Sequence, residues 1–129
     1  MGKALLTASA AFLFLMGAVL NFGPGEAAAA ADRPGADPLP YQLLAGALLG
    51  VGVLNWFSRE RPFGGIYGRP LGIANVLLFV AGAFALGRTV IDADAPPALW
   101  ALFVVYAAFA VAFVWTAFLG APKLPQGES

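Results

Sequence analysis

Hydrophobic positions along this chain fall in four long blocks, each closed by charge, proline or glycine. The blocks predict helices over 4–22, 41–57, 71–86 and 98–120. A hydrocarbon core about 30 Å thick takes about 20 residues of helix to cross. The first and last blocks meet that length. The second and third fall short, which predicts ends that recruit flanking residues or lie in thinned lipid. Unbroken apolar runs exclude the in-out alternation of barrel strands, so backbone satisfaction in lipid leaves helices. The pattern therefore predicts an all-α integral membrane four-helix up-down bundle, a single transmembrane domain over 1–129.

The breaks have their own chemistry. Gly23-Pro24-Gly25 ends the first helix, because proline lacks the N–H that a continuing helix needs. Residues 23–40, GPGEAAAAADRPGADPLP, read as a low-complexity mobile linker with one alanine turn. Residues 58–70 connect the second and third helices, with Gly64, Gly65 and Gly68 allowing a tight turn and Pro70 starting the third helix. Asp94, Pro96 and Pro97 open the fourth helix, and 121–129, with Pro122 and Pro125, form a short polar tail.

Composition removes the soluble alternative. The chain is 60% hydrophobic and 11% charged, against about 45–50% and about 25% for a soluble domain. Lys3, Arg59, Arg61, Arg69 and Lys123 fall on one side of the predicted spans, Arg33 and Arg88 on the other. The positive-inside bias then places both termini and the 58–70 loop in the cytoplasm and the 23–40 linker outside, in a bacterial inner membrane. The first block has a competing reading. Lys3, the apolar run and Ala27–Ala31 before Asp32 resemble a cleavable signal peptide, although the run exceeds the usual h-region of about 7–15 residues.

Reactive groups are scarce. The chain has no cysteine and no histidine, and its seven basic and seven acidic residues balance. That composition offers no disulfide, imidazole dyad, zinc or haem ligation, and no basic footprint for nucleic acid. The predicted spans contain no Asp, Glu, Lys or Arg, which disfavours proton-coupled pumping. Small multidrug transporters carry a glutamate in helix 1, where this chain offers only Thr7, Ser9 and Asn21. Ser9 and Ser58 have no base beside them. The expectation is a protein that is not an enzyme, with no cofactor and no metal.

Helix faces supply the candidate sites. Gly72, Asn75, Phe79, Gly82 and Leu86 share one quadrant of the third helix, either a packed core stripe or the wall of a solute path. Gly46 and Gly50 lie on one face of the second helix with Asn55 almost opposite, which predicts protein contact on two sides and hence self-association. Ala108, Ala112, Thr116 and Gly120 recur every fourth residue on the fourth helix. They are read as packing inward, with Trp100, Phe103, Tyr106 and Phe118 toward lipid. Tyr41, Trp100, Trp56 and Trp115 fit aromatic-belt positions. Val-Leu-Asn-Phe at 19–22 and Val-Leu-Asn-Trp at 53–56 recur without implying duplication, each asparagine being read as a helix cap. A short connection makes the second and third helices neighbours, with Asn55 and Asn75 at comparable depth. Each amide is expected to be satisfied, by the other or by backbone of the 58–69 loop.

Leu54-Asn55-Trp56, Gly64-Gly65-Ile66-Tyr67-Gly68-Arg69-Pro70, then Asn75, Phe79 and Gly82-Ala83 together resemble a group of small four-helix bacterial membrane proteins. Its members read LNW, GGIYxRP and an N…F…GA run in this order. The resemblance covers residues 54–83 and implies the fold without an activity. Some members have a histidine just before the third-helix Phe, where this chain has Leu78.

Two functions are expected from different classes. The first is a non-catalytic bundle that self-associates or serves as an accessory subunit of a membrane complex. The second is an uncoupled channel or facilitator for a small neutral or anionic solute, with Asn55, Asn75 and Tyr106 lining the path and Arg69 at its mouth. Beyond the bilayer itself, Arg59, Arg61 and Arg69 surround the start of the third helix. They either bind an anion such as a lipid headgroup or set topology and snorkel.

Overall fold

The computed structural model describes residues 2–60, 65–92 and 94–119. In chain order its helices are α1 (Gly2–Phe22), α2 (Pro24–Ala30), α3 (Pro38–Ser58), α4 (Gly65–Asp92) and α5 (Pro97–Val114). The winding of α5 then widens into a π-helical turn over Trp115–Leu119. Among the described residues four stretches are long and apolar enough to cross a bilayer: Gly2–Phe22, Pro38–Ser58, Gly68–Asp92 and Pro97–Phe118. The protein is an all-α, multi-pass membrane bundle.

Two spans are longer than the hydrophobic blocks predict. The side chain of Asp37 accepts a hydrogen bond from the Leu39 N–H at 3.0 Å and starts α3 at Pro38. Pro38 and Pro40 then occupy the first turn, where N–H groups have no helical partner to lose. Pro70 does not begin α4 but lies inside it. There it removes the N–H that would bond the Ile66 carbonyl, and its ring crowds that carbonyl. α4 also continues past Leu86 to Asp92, so Arg88 lies within a span rather than beyond it. Arg88 is exposed near the helix end, where its long stem lets the charge reach the interface.

The linker is more ordered than its composition implies. Pro24 takes the first position of α2, and the helix closes through Asp32 N–H to Ala29 O at 3.0 Å and Arg33 N–H to Ala28 O at 2.8 Å. This is a Schellman ending. Its left-handed position, usually glycine, is filled by Asp32 at φ 63°.

α1 packs along α3, and α4 packs along α5. The Lys3 ammonium lies 3.2 Å from Glu60 Oε1, so the start of α1 and the end of α3 share one end of the bundle. Glycine sets the α1–α3 separation. A Cβ on Gly17 would fall 2.5 Å from Leu49 Cγ, and one on Gly52 would fall 3.1 Å from Phe14 Cε1. The two helix pairs meet through Phe12 of α1, whose ring lies 5.6 Å from Phe109 and 5.9 Å from Tyr106 of α5, while the fully buried Phe79 centres the rings shared by α4 and α5. Phe79 lies 5.0 Å from Phe109, 5.4 Å from Tyr106, 5.6 Å from Phe113 and 6.4 Å from Phe12, centroid to centroid.

This packing corrects the reading of the fourth helix. Tyr106 and Phe113 are buried and Phe109 packs on the core, whereas Ala108 is exposed and Ala112 only partly covered. Rings face inward because α4 offers Gly82 opposite Tyr106, where a Cβ would overlap the ring. Without a hydrophobic drive between spans, packing of ring against small residue decides the facing. Trp100 and Phe118 do remain on the outside.

Candidate functional site

Three polar side chains meet in the closed end of the bundle, each fully buried: Ser9 on α1, Asn55 on α3 and Asn75 on α4. The amides of Asn55 and Asn75 face each other and exchange hydrogen bonds, each Nδ2 donating to the other's Oδ1 at 2.8 Å. Asn55 Nδ2 also donates to Ser9 Oγ at 2.9 Å, and Asn75 Nδ2 to the Leu71 carbonyl at 3.0 Å. The Ser9 hydroxyl donates in turn to the Leu6 carbonyl at 3.1 Å. Every amide N–H therefore has an acceptor, as groups removed from water require.

Asn55 is thus no helix cap, since α3 continues to Ser58. Ser9 is the member that sequence reasoning missed. Its signal was available: Ser9 is the one hydroxyl on the stripe of α1 that also carries Leu6, Leu13 and Gly17. The cluster holds neither a titrating group nor a base to activate Ser9. Among the described residues no three His, Cys, Asp or Glu converge on a metal site.

The other candidates scatter. Gly72 is buried on α4, but Gly46 and Gly50 face away from the bundle, with nothing within 4 Å of an added Cβ. Gly82 does pack within the bundle as expected, and Gly17, Gly52 and Gly87 join it. Spacing of four identified a face of α3 without identifying its neighbour. Arg59 stacks over the Trp56 ring at 3.7 Å, donates to the Trp56 carbonyl at 2.6 Å and lies 3.8 Å from Glu60 Oε1. Its charge is turned to its own helix end rather than to a shared anion site. Arg69 is exposed on α4. Arg61, Gly64, Gly120 and the tail lie outside the described residues. The Thr116 hydroxyl, in the π-helical turn, is buried and has no hydrogen-bond partner.

The opposite end is hollow. A cavity of about 620 Å³ opens between the two helix pairs. Phe12, Met16 and Leu20 of α1, Leu44 and Leu48 of α3, Leu86 of α4 and Leu102 and Tyr106 of α5 form its walls. Ala27 and Ala30 of α2 border it at one end, beside Arg33. Of the residues expected along a solute path, Tyr106 borders this cavity, whereas Asn55 and Asn75 do not. No family model, curated protein or solved structure matches the chain.

Proposed function

We propose that this protein is a non-catalytic bundle of a bacterial inner membrane, with both termini cytoplasmic, that associates with further copies of itself through α3. The observation that carries this reading is the pair of opposite faces on that helix. Ala45, Leu48, Gly52 and Asn55 are buried against the rest of the bundle, while Gly46 and Gly50 are bare. Leu39, Leu43 and Phe57 stand exposed on the same outer side. Paired small residues flanked by large apolar ones let two helix backbones approach closely in lipid, where dispersion rather than hydrophobic burial drives association. The closed amide cluster supports a structural role over conduction, because its polar groups are engaged with one another.

Cross-linking and blue-native electrophoresis in mild detergent test the proposal. Wild type is expected to run as an oligomer, and Gly46→Leu/Gly50→Leu as a monomer with unchanged helicity. A wild type that is strictly monomeric, or an oligomer indifferent to both substitutions, overturns it.

A further inference from the structure

The cavity asks for an occupant that the amide cluster and the α3 face do not supply. Its volume of about 620 Å³ lies inside the range of about 300–1,000 Å³ typical of small-molecule sites. Left empty, a half-open cavity of this size would forfeit dispersion contacts along its lining. Water fits it poorly, because an ordered water needs about 2–4 polar partners. The walls are mostly hydrocarbon: Tyr41 and Tyr106 are the other hydroxyl-bearing residues on them, and the Thr89 hydroxyl already donates to the Ala85 carbonyl at 3.1 Å. An alkyl chain fits. From Ala98 to Tyr106, both on the wall, helical rise gives a depth of about 12 Å.

One end of the cavity is not apolar. Among the described residues Arg33 is the one charged group that lines it. The Schellman ending of α2 fixes its backbone there, through Arg33 N–H to Ala28 O, and its guanidinium also donates to the Ala31 carbonyl at 3.2 Å. A guanidinium at the mouth of a hydrocarbon cavity matches a molecule with an anionic head and an apolar chain. We propose that the cavity binds an acidic membrane lipid, with one acyl chain between the helix pairs and its headgroup on Arg33.

Native mass spectrometry of the full chain, released from nanodiscs of phosphatidylcholine and phosphatidylglycerol in equal amounts, tests this. Wild-type monomer is expected to retain one phosphatidylglycerol in preference to phosphatidylcholine. Arg33→Gln, in an exposed turn, should cut that preference about fivefold, the effect of one basic side chain at an anionic surface. Ala85→Phe/Ala101→Phe, which fills the cavity, should retain neither lipid while keeping its helicity. Arg88→Gln tests the rival site, a second apolar groove of about 590 Å³ between α4 and α5 that Arg88 lines, and it should leave the preference intact. The proposal is overturned if wild type retains the two lipids equally, if Arg33→Gln keeps the full preference, or if Arg88→Gln abolishes it. It also fails if the retained mass is a second chain without lipid. Because lipid is counted on the monomer, these outcomes are independent of self-association through α3.

Discussion

The reciprocal amides of Asn55 and Asn75 permit a quantitative test of what a buried polar contact contributes in this bundle. Asn55→Ala removes the exchange with Asn75 and the bond to Ser9 Oγ. At the average of about 0.6 kcal/mol measured for interhelical polar contacts in membranes, that loss is about 2 kcal/mol. Asn75→Ala loses the same exchange and a bond to its own helix at Leu71, for an expected cost of about 1.5 kcal/mol. The double variant loses the exchange only once. Its cost should therefore fall short of the additive value by about 1.2 kcal/mol. Any void left by truncation largely cancels in the cycle, which isolates the pair. Ser9→Ala gives an internal control, since it should couple to Asn55, which it touches, and not to Asn75. Reversible unfolding in bicelles by steric trapping supplies the free energies. If the two asparagine substitutions add within about 0.3–0.5 kcal/mol, the limit for independent sites, the exchange contributes nothing to stability. The contact is then an incidental alignment of two amides.

Three further substitutions probe helix packing with the same assay. Phe79→Ala should destabilise by about 2–3 kcal/mol, below the figure of about 3–5 kcal/mol for soluble cores, because lipid removes the transfer contribution and leaves the cavity and lost contacts; a change under about 0.5 kcal/mol would show that the ring cluster does not hold α4 against α5. Gly82→Ala should cost about 1–3 kcal/mol through overlap with the Tyr106 ring, whereas Gly46→Ala should stabilise the monomer by up to about 1 kcal/mol through helix propensity alone; equal effects at the two positions would refute the assignment of faces.

The spans and the asparagine pair were legible in the sequence for physical reasons. Block hydropathy reports lipid contact directly, and a short connection between antiparallel helices places Asn55 and Asn75 at one depth. Rotation was harder to read. In a soluble helix the polar face marks the outside, but α5 is apolar all round, so nothing distinguished Ala108 from Tyr106 until α4 presented Gly82. Helix ends were obscured by proline, since Pro38 and Pro40 read as linker although the first turn of α3 tolerates them, and Pro70 read as the start of a helix that contains it. α2 was legible only as a single alanine turn, because alanine-rich sequence carries no apolar periodicity. Its closing Schellman turn uses Asp32 where glycine is the usual signal.

The two ends of the bundle explain each other. In water, separating two helix pairs would expose apolar walls at a cost proportional to the area uncovered. In a bilayer that cost vanishes when an alkyl chain enters, because lipid and side chain are equally apolar. The pairs can therefore diverge toward α2, provided something fixes their relation at the other end. Leucine contacts alone would allow α3 and α4 to slide, since any register buries comparable hydrocarbon. The exchange between Asn55 and Asn75 does not, because a slip of one residue leaves amide groups unmatched in hydrocarbon. Modest energy and strong geometric selectivity are what such a contact contributes. With Ser9 bringing α1 into the same cluster, the closed end defines the register of three helices and allows the opposite end to remain hollow.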